Sequence, residues 1–542
     1  MYGLMMNQPL TLTGILRHGE RNHPRREIVS VTHDTPRHRY TYRECFGRAR
    51  RLARTLDRLH AGPDARIATL AWNDYRHLEL YYAISCSGRV CHTVNPRLFD
   101  EQIIYILNHA EDEWVFVDPA FLSKMELLAK QCPKVRGFVV LADAAHMPPT
   151  RLDNVLCYED LVQAETDDYE WPTLDENTAS GLCYTSGTTG NPKGVLYSHR
   201  SAVLMSYAAA LPDSCALSAL DGILPIVPMF HVNAWGLPFG AVMVGAKLVF
   251  PGPKLSDPAV LTDLITSEQV TFSAGVPTVC LPLLAYLRDS GRSVAPLQRM
   301  MIGGSACPLS MMEEFRDRHQ VRVLHGWGMT EMSPLGTANA HTSVTRDYTG
   351  TTQADQMCSQ GRAIPGVELK ITDDDDRELP WDGKATGALK VRGPWVCRDY
   401  YGLDGASAAH DAEGWFATGD VASIDAEGFM RITDRAKDVI KSGGEWISSI
   451  DLENTAMGHP AVAEAAVIGM AHHKWQERPL LVVVLKLGDT VSKSDLLTWF
   501  EGKVAKWWIP DDVVFVTSLP HTATGKLSKL ELRRQFATYR FP

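Results

Sequence analysis

The segment Thr185-Ser186-Gly187-Thr188-Thr189-Gly190-Asn191-Pro192-Lys193-Gly194 is the stretch from which the rest of this chain can be organised. It mixes hydroxyl side chains and glycines with one lysine, and apolar strand-like segments flank it at 181–184 and 195–197. Backbone N–H groups and hydroxyls in such a loop can close round an anion, with Lys193 supplying positive charge. The spacing is not that of a Walker A loop. A flexible linker is the alternative, but apolar strands on both sides argue against it.

Length and composition predict a multidomain protein that does not bind nucleic acid. The 542 residues are too many for one core, and the net charge of −10 argues against a nucleic-acid partner. No apolar run reaches about 18 residues, so no transmembrane segment is predicted. The eleven scattered cysteines and the lack of a signal-peptide pattern indicate reduced thiols. The protein is therefore predicted to be cytoplasmic. Peripheral contact with the inner membrane and a homodimer are left open.

Patterning along the chain predicts an α/β protein. Helical and strand-like segments alternate from about residue 10 to 175, which is typical of a layered α/β domain. Thr41 and Glu44 have the spacing of a capping box, at the start of a helix predicted to reach about residue 59. Residues from about 361 to 435 change to short alternating strands with turn residues, which predicts a small β-barrel or antiparallel sheet. The pattern of the last hundred residues predicts a βαβ arrangement, with a helix at about 494–505.

The segment at 185–194 resembles the phosphate loop of the adenylate-forming superfamily, which comprises acyl-CoA synthetases, non-ribosomal adenylation domains and beetle luciferases. Segments similar to other motifs of this family follow in order as far as residue 526, so the resemblance covers nearly the whole chain. It implies an N-terminal AMP-binding domain at 1–434, built of two α/β subdomains and a small β-barrel at about 340–434. A small mobile α+β C-terminal domain at 435–542 would follow, with its hinge at Lys437.

The resemblance also implies ATP, Mg²⁺ and CoA as cofactors and assigns residues to the nucleotide. Thr330 would hold an α-phosphate oxygen, Glu331 and Thr185 would hold Mg²⁺, and Lys526 would sit at the α-phosphate. The segment 325–331, His-Gly-Trp-Gly-Met-Thr-Glu, departs from the family's commoner Tyr-Gly-x-Thr-Glu pattern, which leaves open which ring stacks on adenine. The other residues expected to bind the nucleotide are Ser186, Gly187, Thr188, Thr189, Gly190, Lys193, Gly304, Ser305, Ala306, Gly326, Trp327, Asp420 (at the ribose), Ile432 and Arg435.

Further segments resemble those that contact the acid and CoA. Phe230-His231 is similar to the family's aromatic motif, which closes the acyl pocket and moves when CoA arrives. Amino-acid adenylation domains typically place an Asp after this Phe, so His231 disfavours an amino-acid substrate. Trp235 resembles the gating tryptophan of fatty-acyl-CoA synthetases, with a core aromatic as its alternative. The other residues expected to contact acid or CoA are Gly303, Gly328, Met332, Pro334, Lys441, Gly443, Gly444, Glu445 and Trp446.

Together these motifs predict a two-step ligase. A carboxylate would attack the α-phosphate of ATP, the small domain would turn about Lys437, and the CoA thiol would then attack the acyl-adenylate. The catalytic residues are predicted to be Lys526, His231, Thr330 and Lys437. Only the sixteen residues 527–542 follow Lys526, so free CoA is the expected acceptor and not a tethered carrier.

The substrate is predicted less sharply than the reaction. The match favours a medium-chain fatty acid, but a short acid such as 3-methylthiopropionate and a long-chain acid stay open, because each methylene changes specificity by only about 1–3 kcal/mol. A luciferase-like or adenylate-only enzyme is a second class. A silent nucleotide-binding protein is a third, and the joint presence of Lys193, Glu331, Asp420, Arg435 and Lys526 argues against it.

Overall fold

The computed structural model describes residues 1, 3–185, 191–403, 410–442, 445–522 and 526–541, and their strands form four sheets. Two large sheets lie in the first three-quarters of the chain, and two smaller sheets follow. Within these ranges, no helix has the length and hydropathy needed to cross a bilayer.

The seven-stranded sheet is parallel except for its last strand, which pairs antiparallel with its neighbour. Most of its strands are runs of buried apolar residues, as expected of a parallel sheet that is covered on both faces. In spatial order its strands are Val155–Cys157, Gly137–Val140, Trp114–Val117, Arg66–Leu70, Val90–Thr93, Ala179–Tyr184 and Gly194–Ser198.

The nine-stranded sheet has a parallel centre and antiparallel strands at both ends. One core lies between the two large sheets and includes Phe116 from the first and Phe272 from the second. In spatial order the strands are Arg362–Ala363, Leu335–Ala338, Arg322–Gly328, Arg299–Ile302, Phe272–Gly275, Gly222–Pro225, Lys247–Phe250, Glu27–Ser30 and His38–Thr41.

Helices cover the faces of these sheets, which confirms the layered α/β prediction. The predicted capping box is present, because Thr41 accepts from the Glu44 backbone and Glu44 from that of Thr41. The α-helices are Leu12–Asn22, Tyr42–Arg58, Tyr75–Cys86, Asp100–Ala110, Leu122–Leu128, Tyr158–Gln163, His199–Ala210, Leu237–Val244, Pro258–Ser267, Pro277–Ser290, Leu309–His319, Gly350–Cys358, Ser449–Met457, Lys493–Thr498 and Lys529–Gln535, and Val232–Trp235 is a short left-handed turn.

The two small sheets form the rest of the molecule. The region predicted to be a small β-barrel or antiparallel sheet forms a four-stranded antiparallel sheet in the part of the chain that the structure describes. Its strands are Glu368–Thr372, Thr386–Arg392, Phe416–Ile424 and Met430–Arg435, and those of the C-terminal sheet are Ile440–Ser442, Glu445–Ile447, Val462–His472, Gln476–Leu485 and Asp512–Phe515.

The last predicted helix is shorter than expected. It ends at Thr498 instead of about residue 505, and Gly502 in the segment that follows has a φ of 74°, a left-handed conformation that cannot continue a right-handed helix. The βαβ order is confirmed, because the strand Asp512–Phe515 runs parallel to Gln476–Leu485.

The candidate site lies where parallel strands of both large sheets end. The strands that end at Tyr184, Ile302 and Gly328 are each followed by a segment that carried a predicted motif. Ligands of α/β proteins commonly bind at the carboxyl ends of parallel strands. The strand topology therefore brings motifs more than 100 residues apart in sequence to one place.

Candidate active site

A cavity of about 750 Å³ lies at these strand ends and collects most of the predicted residues. Lys526, from the C-terminal domain, reaches the same cavity as Glu331 of the large domain. The predicted residues that line it are Thr185, Lys193, His231, Trp235, Gly303, Gly304, Gly326, Trp327, Gly328, Thr330, Glu331, Pro334, Arg435, Lys437 and Lys526.

Other predicted residues lie away from the cavity wall. Met332 is fully buried in the core between the two large sheets, and Ser305 is exposed to solvent. Ile432 donates its backbone N–H to Gln360. Ala306, Asp420 and Lys441 also do not line the cavity. Ser186, Gly187, Thr188, Thr189, Gly190, Gly443 and Gly444 lie outside the described residues, as do the side chains of Glu445 and Trp446.

One wall of the cavity is formed by glycine backbone. A Cβ atom on Gly303 would lie 2.7 Å from the carbonyl oxygen of Gly326, and one on Gly328 would lie 2.0 Å from that of Pro334. No larger residue fits these two positions without moving the backbone. The wall is therefore flat and close to the chain, and a planar ring can approach it directly.

Trp327 and Asp420 lie next to this wall and are joined by a hydrogen bond. The Trp327 Nε1–H donates to Asp420 Oδ2 over 2.9 Å, and Arg435 Nε lies 2.8 Å from Asp420 Oδ1. Burial raises the pKa of Asp420, while Arg435 and the Trp327 hydrogen bond act in the opposite direction. Since Trp327 lines the cavity and His325 is buried outside it, the geometry favours Trp327 as the ring beside a bound base.

Glu331 is oriented by Tyr400, a residue that no motif indicated. The Tyr400 hydroxyl donates to Glu331 Oε1 over 2.7 Å, and Lys193 Nζ lies 4.7 Å from the centre of the Tyr400 ring. The neighbouring Thr330 is fixed through its carbonyl, which accepts from Tyr197 over 2.7 Å. The second carboxylate oxygen of Glu331 makes no hydrogen bond to any described residue. It is an oxygen donor of the kind that Mg²⁺ prefers, so the residues present fit this ion.

The ammonium group of Lys526 loses its proton more readily than that of an ordinary lysine. Burial, together with Arg435, lowers the pKa of Lys526 to about 8, although Asp420 and Glu331 act in the opposite direction. Its Cε lies 3.7 Å from the place where a Cβ of Gly304 would be. The ammonium group is therefore held over the glycine wall, with two carboxylates and one guanidinium around it.

His231 is a neutral ring at physiological pH. Burial and the nearby Lys526 lower the pKa of His231 to about 3. The side chain makes no hydrogen bond within the described part of the chain. His231 therefore adds a polar but uncharged surface to the cavity, and it cannot supply a positive charge to a phosphate.

The turn after His231 is left-handed, which the sequence did not predict. Val232, Asn233, Ala234 and Trp235 have φ values of 45°, 53°, 49° and 56°. Each L-residue in this conformation costs roughly 1–2 kcal/mol, and such strain is concentrated at functional sites. The turn directs the Trp235 ring to the glycine wall, where its Cη2 lies 3.4 Å from the Cβ position of Gly303.

Apolar side chains line a further part of the cavity, which we call the apolar branch. It is lined by Cys215, Ile226, Leu237, Ala274 and Met301, among others. Sequence reasoning missed all of these residues because each belongs to an ordinary buried segment. It also missed Arg97, which lies in the cavity wall with its guanidinium 5.9 Å from the centre of the Phe230 ring. The cavity is lined by both charged and apolar side chains, a combination that suits an acid with a hydrocarbon tail.

Comparison with known proteins agrees with this geometry. The model of the AMP-binding enzyme family matches residues 16–401, and that of the AMP-binding enzyme C-terminal domain matches residues 451–526. A medium-chain-fatty-acid–CoA ligase of Ectopseudomonas oleovorans is 50% identical over 536 residues, which cover 99% of this chain and 98% of that protein. A 3-methylmercaptopropionyl-CoA ligase of Ruegeria lacuscaerulensis is also 50% identical over 536 residues, 99% of each chain.

A solved structure supports the same architecture. The crystal structure of an anthranilate CoA ligase in complex with anthranoyl-AMP superimposes with a TM-score of 0.88 over 98% of both chains, at 24% identity. This similarity concerns the fold alone. The two relatives named above act on acids of different size at the same level of identity, so sequence similarity does not settle the acid.

Proposed function

Because the chain belongs to the family of AMP-binding enzymes, we propose that its cavity activates a medium-chain fatty acid in an AMP-forming acyl-CoA ligase reaction. Enzymes of this kind use ATP, Mg²⁺ and CoA. The observation that carries the proposal is the composition of the cavity. One part of the cavity is lined by Lys526, Arg435 and Glu331. Another part is the apolar branch, which would accept a hydrocarbon chain.

In the first step, a carboxylate oxygen of the acid attacks the α-phosphorus of ATP. The P–O bond to the β-phosphate breaks, and pyrophosphate leaves with the bonding electrons. Lys526 and Thr330 would offset the negative charge that builds on the α-phosphate oxygens, and preorganised charges of this kind are usually the largest catalytic contribution. Glu331 would hold Mg²⁺, which would neutralise charge on the phosphates.

The remaining nucleotide contacts are proposed from the family resemblance, and the geometry of the cavity is compatible with them. The ring of Trp327 would stack on adenine against the glycine wall. Asp420, which does not line the cavity itself but contacts the lining residues Trp327 and Arg435, would accept from the ribose hydroxyls. Both Asp420 oxygens already accept one hydrogen bond or ion pair, and each has a further lone pair. Lys193 would contact the outer phosphates, since it approaches the cavity beside Tyr400.

In the second step, the CoA sulfur attacks the acyl carbonyl carbon of the acyl-adenylate. The mixed-anhydride C–O bond breaks, AMP leaves, and the thiol proton passes to solvent or a nearby base. Residues 435–542 would act as the mobile domain and turn about Lys437, so that Lys526 withdraws and the loop at 441–446 approaches. Lys526 in the cavity corresponds to the orientation needed for the first step.

The proposed setting is the cytoplasm. All eleven cysteines lie in the part of the chain that the structure describes, and none of them is in a disulfide there. Free buried thiols fit a reducing compartment, where ATP and CoA are also supplied. We also propose that the protein forms a homodimer, and light scattering would test this.

The test is mass spectrometry of the purified protein with Mg·ATP and a series of straight-chain acids from propionate to palmitate, with and without CoA. We expect acyl-CoA and AMP in equal amounts, highest at medium chain length. Acyl-AMP alone would point to an adenylate-only enzyme. No turnover of any acid would contradict the ligase function.

A further inference from the structure

The apolar branch of the cavity follows the strand Arg299–Ile302 from its carboxyl end toward its amino end. Alternation along the strand puts Arg299, Met301 and Gly303 on the same face. Gly303 and Met301 line the cavity, whereas Ile302 packs in the core on the opposite face. A chain that enters beside Gly303 therefore passes Met301 and then approaches Arg299.

Cys215 closes the branch before Arg299 is reached. It lines the cavity, is only 5% exposed, and lies near enough to Arg299 for the guanidinium to lower the pKa of its thiol against the larger rise that burial causes. Behind it, Arg299 Nη2 lies 2.9 Å and 3.0 Å from the two carboxylate oxygens of Asp221. The guanidinium also lies 5.6 Å from the centre of the Phe272 ring.

Hydrogen bonds hold the segment that carries Cys215 firmly against the sheet. The Asp221 carboxylate also accepts from the Thr271 hydroxyl over 2.6 Å and from the Ser218 N–H over 2.8 Å. Arg299 also donates to the carbonyl of Ala216 over 3.4 Å. A thiol held in this way cannot recede from a longer substrate unless buried, charge-assisted hydrogen bonds break.

We propose that Cys215, held in place by the Arg299–Asp221 ion pair, is the floor of the acyl tunnel and limits the substrate to medium chain length. This inference rests on the proposed ligase function. Gly303 lies four positions after Arg299, a distance of roughly 13 Å at the rise of a strand. An extended chain advances roughly 1.2 Å per bond, as a polypeptide does. Because Cys215 closes the tunnel before Arg299, the tunnel accepts an acyl chain of at most about ten carbons.

The floor produces an upper limit and not a gradual preference. Up to the floor, each added methylene is buried against apolar side chains, and kcat/KM is expected to rise about fourfold per carbon. A further methylene must push Cys215 back or enter the ion pair, and both are unfavourable in a packed and charged surrounding. A short acid would leave the lower tunnel without contacts.

The test measures kcat/KM for straight-chain acids from butyrate to palmitate in three purified proteins. The wild type should show a maximum near decanoate and a sharp fall beyond it. Cys215→Phe should move the maximum about three carbons shorter and keep activity on butyrate. Cys215→Ala should move it about one carbon longer. If Cys215→Phe is poorly folded, Cys215→Leu replaces it, with a smaller shift in the same direction.

Cys280→Ala is the matched control. Cys280 is a fully buried cysteine that packs in the core on the other face of the same sheet and does not line the cavity. This variant should keep the wild-type maximum. A folded Cys215→Phe enzyme with an unchanged chain-length profile would overturn the assignment of the floor. A wild type that forms no acyl-CoA from any acid would instead overturn the ligase function on which the inference rests.

Discussion

Lys526 is the residue whose loss should separate the two half-reactions. Its ammonium group lies in the cavity with Glu331 and Arg435, where it would face the α-phosphate. We expect Lys526→Ala to slow adenylation about 10²- to 10³-fold, the usual cost of one preorganised charge. Thioester formation from supplied acyl-AMP should change much less. Rapid-quench measurement of each half-reaction checks the difference.

A surface lysine of the same domain provides the control. Lys506 is exposed in the structure, and Lys506→Ala should leave both half-reactions at the wild-type rate. Equal losses in both half-reactions of Lys526→Ala would contradict the role given to Lys526, because a residue needed only for the first step cannot slow the second directly.

The same lysine predicts how adenylation depends on pH. Burial and Arg435 lower the pKa of Lys526 to about 8, so the ammonium is charged below this pH and neutral above it. We expect kcat/KM for ATP, which reports the free enzyme, to fall as pH rises through about 8. In Lys526→Arg the fall should disappear below about pH 10, since arginine stays protonated. An unchanged profile in this variant would assign the fall to another group.

At the scale of single residues, the sequence predicts the site residues that belong to a recognisable motif. It misses the site residues that a distant segment contributes. Glu331 and Lys526 could be found because each lies in a recognisable run of residues. Tyr400 could not be found, because its contact with Glu331 spans 69 positions of sequence and no local pattern marks it. Cys215 has the same property: only the folded sheet brings it to Met301.

Among the elements, the left-handed turn Val232–Trp235 is the least expected, and Gly236 follows it directly. Gly236 has a φ of 71°, and a Cβ there would lie 1.8 Å from Met205 Cε. We expect Gly236→Ala to lower the free energy of unfolding by about 2–4 kcal/mol, from left-handed strain plus overpacking against the buried Met205. Urea unfolding followed by tryptophan fluorescence measures this change.

The variant Gly291→Ala separates the effect of left-handed backbone strain from the effect of overpacking against Met205. Gly291, at the end of the helix Pro277–Ser290, also has a positive φ, 66°, but no atom lies within 4 Å of its Cβ position. Gly291→Ala should therefore cost only the strain, about 1–2 kcal/mol. The difference between the two variants gives the contribution of Met205, and Met205→Ala in the Gly236→Ala background should recover part of it. Equal losses in the two glycine variants would show that Met205 yields without cost.

At the scale of elements, the sequence predicts regular helices and strands well and strained connections poorly. The helix Tyr42–Arg58 is marked by its capping box and its apolar stripe, both of which are local. The turn Val232–Trp235 contains no glycine and opposes the local preferences of its residues. Contacts from the surrounding core keep it in this conformation, and such contacts are not visible in a sequence.

For the whole molecule, the orientation of the C-terminal domain depends on contacts that cross the proposed hinge at Lys437. Arg431 Nη2 lies 2.8 Å from Asp451 Oδ1, and the Ser449 N–H donates to Asp434 Oδ2 over 2.9 Å. Each pair joins a residue before the hinge to one after it. A rotation that removes Lys526 from the cavity would separate these pairs, so they stabilise the orientation suited to adenylation.

Weakening one of these contacts should shift the balance between the half-reactions. Asp451→Asn removes the charge that faces Arg431 and leaves the backbone of its helix unchanged. Because the pair is partly exposed, it is worth roughly 0.2–1 kcal/mol, and thioester formation should gain about 1.5- to 5-fold relative to adenylation. Asp375→Asn is the control, since Asp375 pairs with Arg377, 2.9 Å away, inside one domain. A proportional loss of both half-reactions in Asp451→Asn, with the control unaffected, would mean that this pair supports folding of the domain and not its orientation.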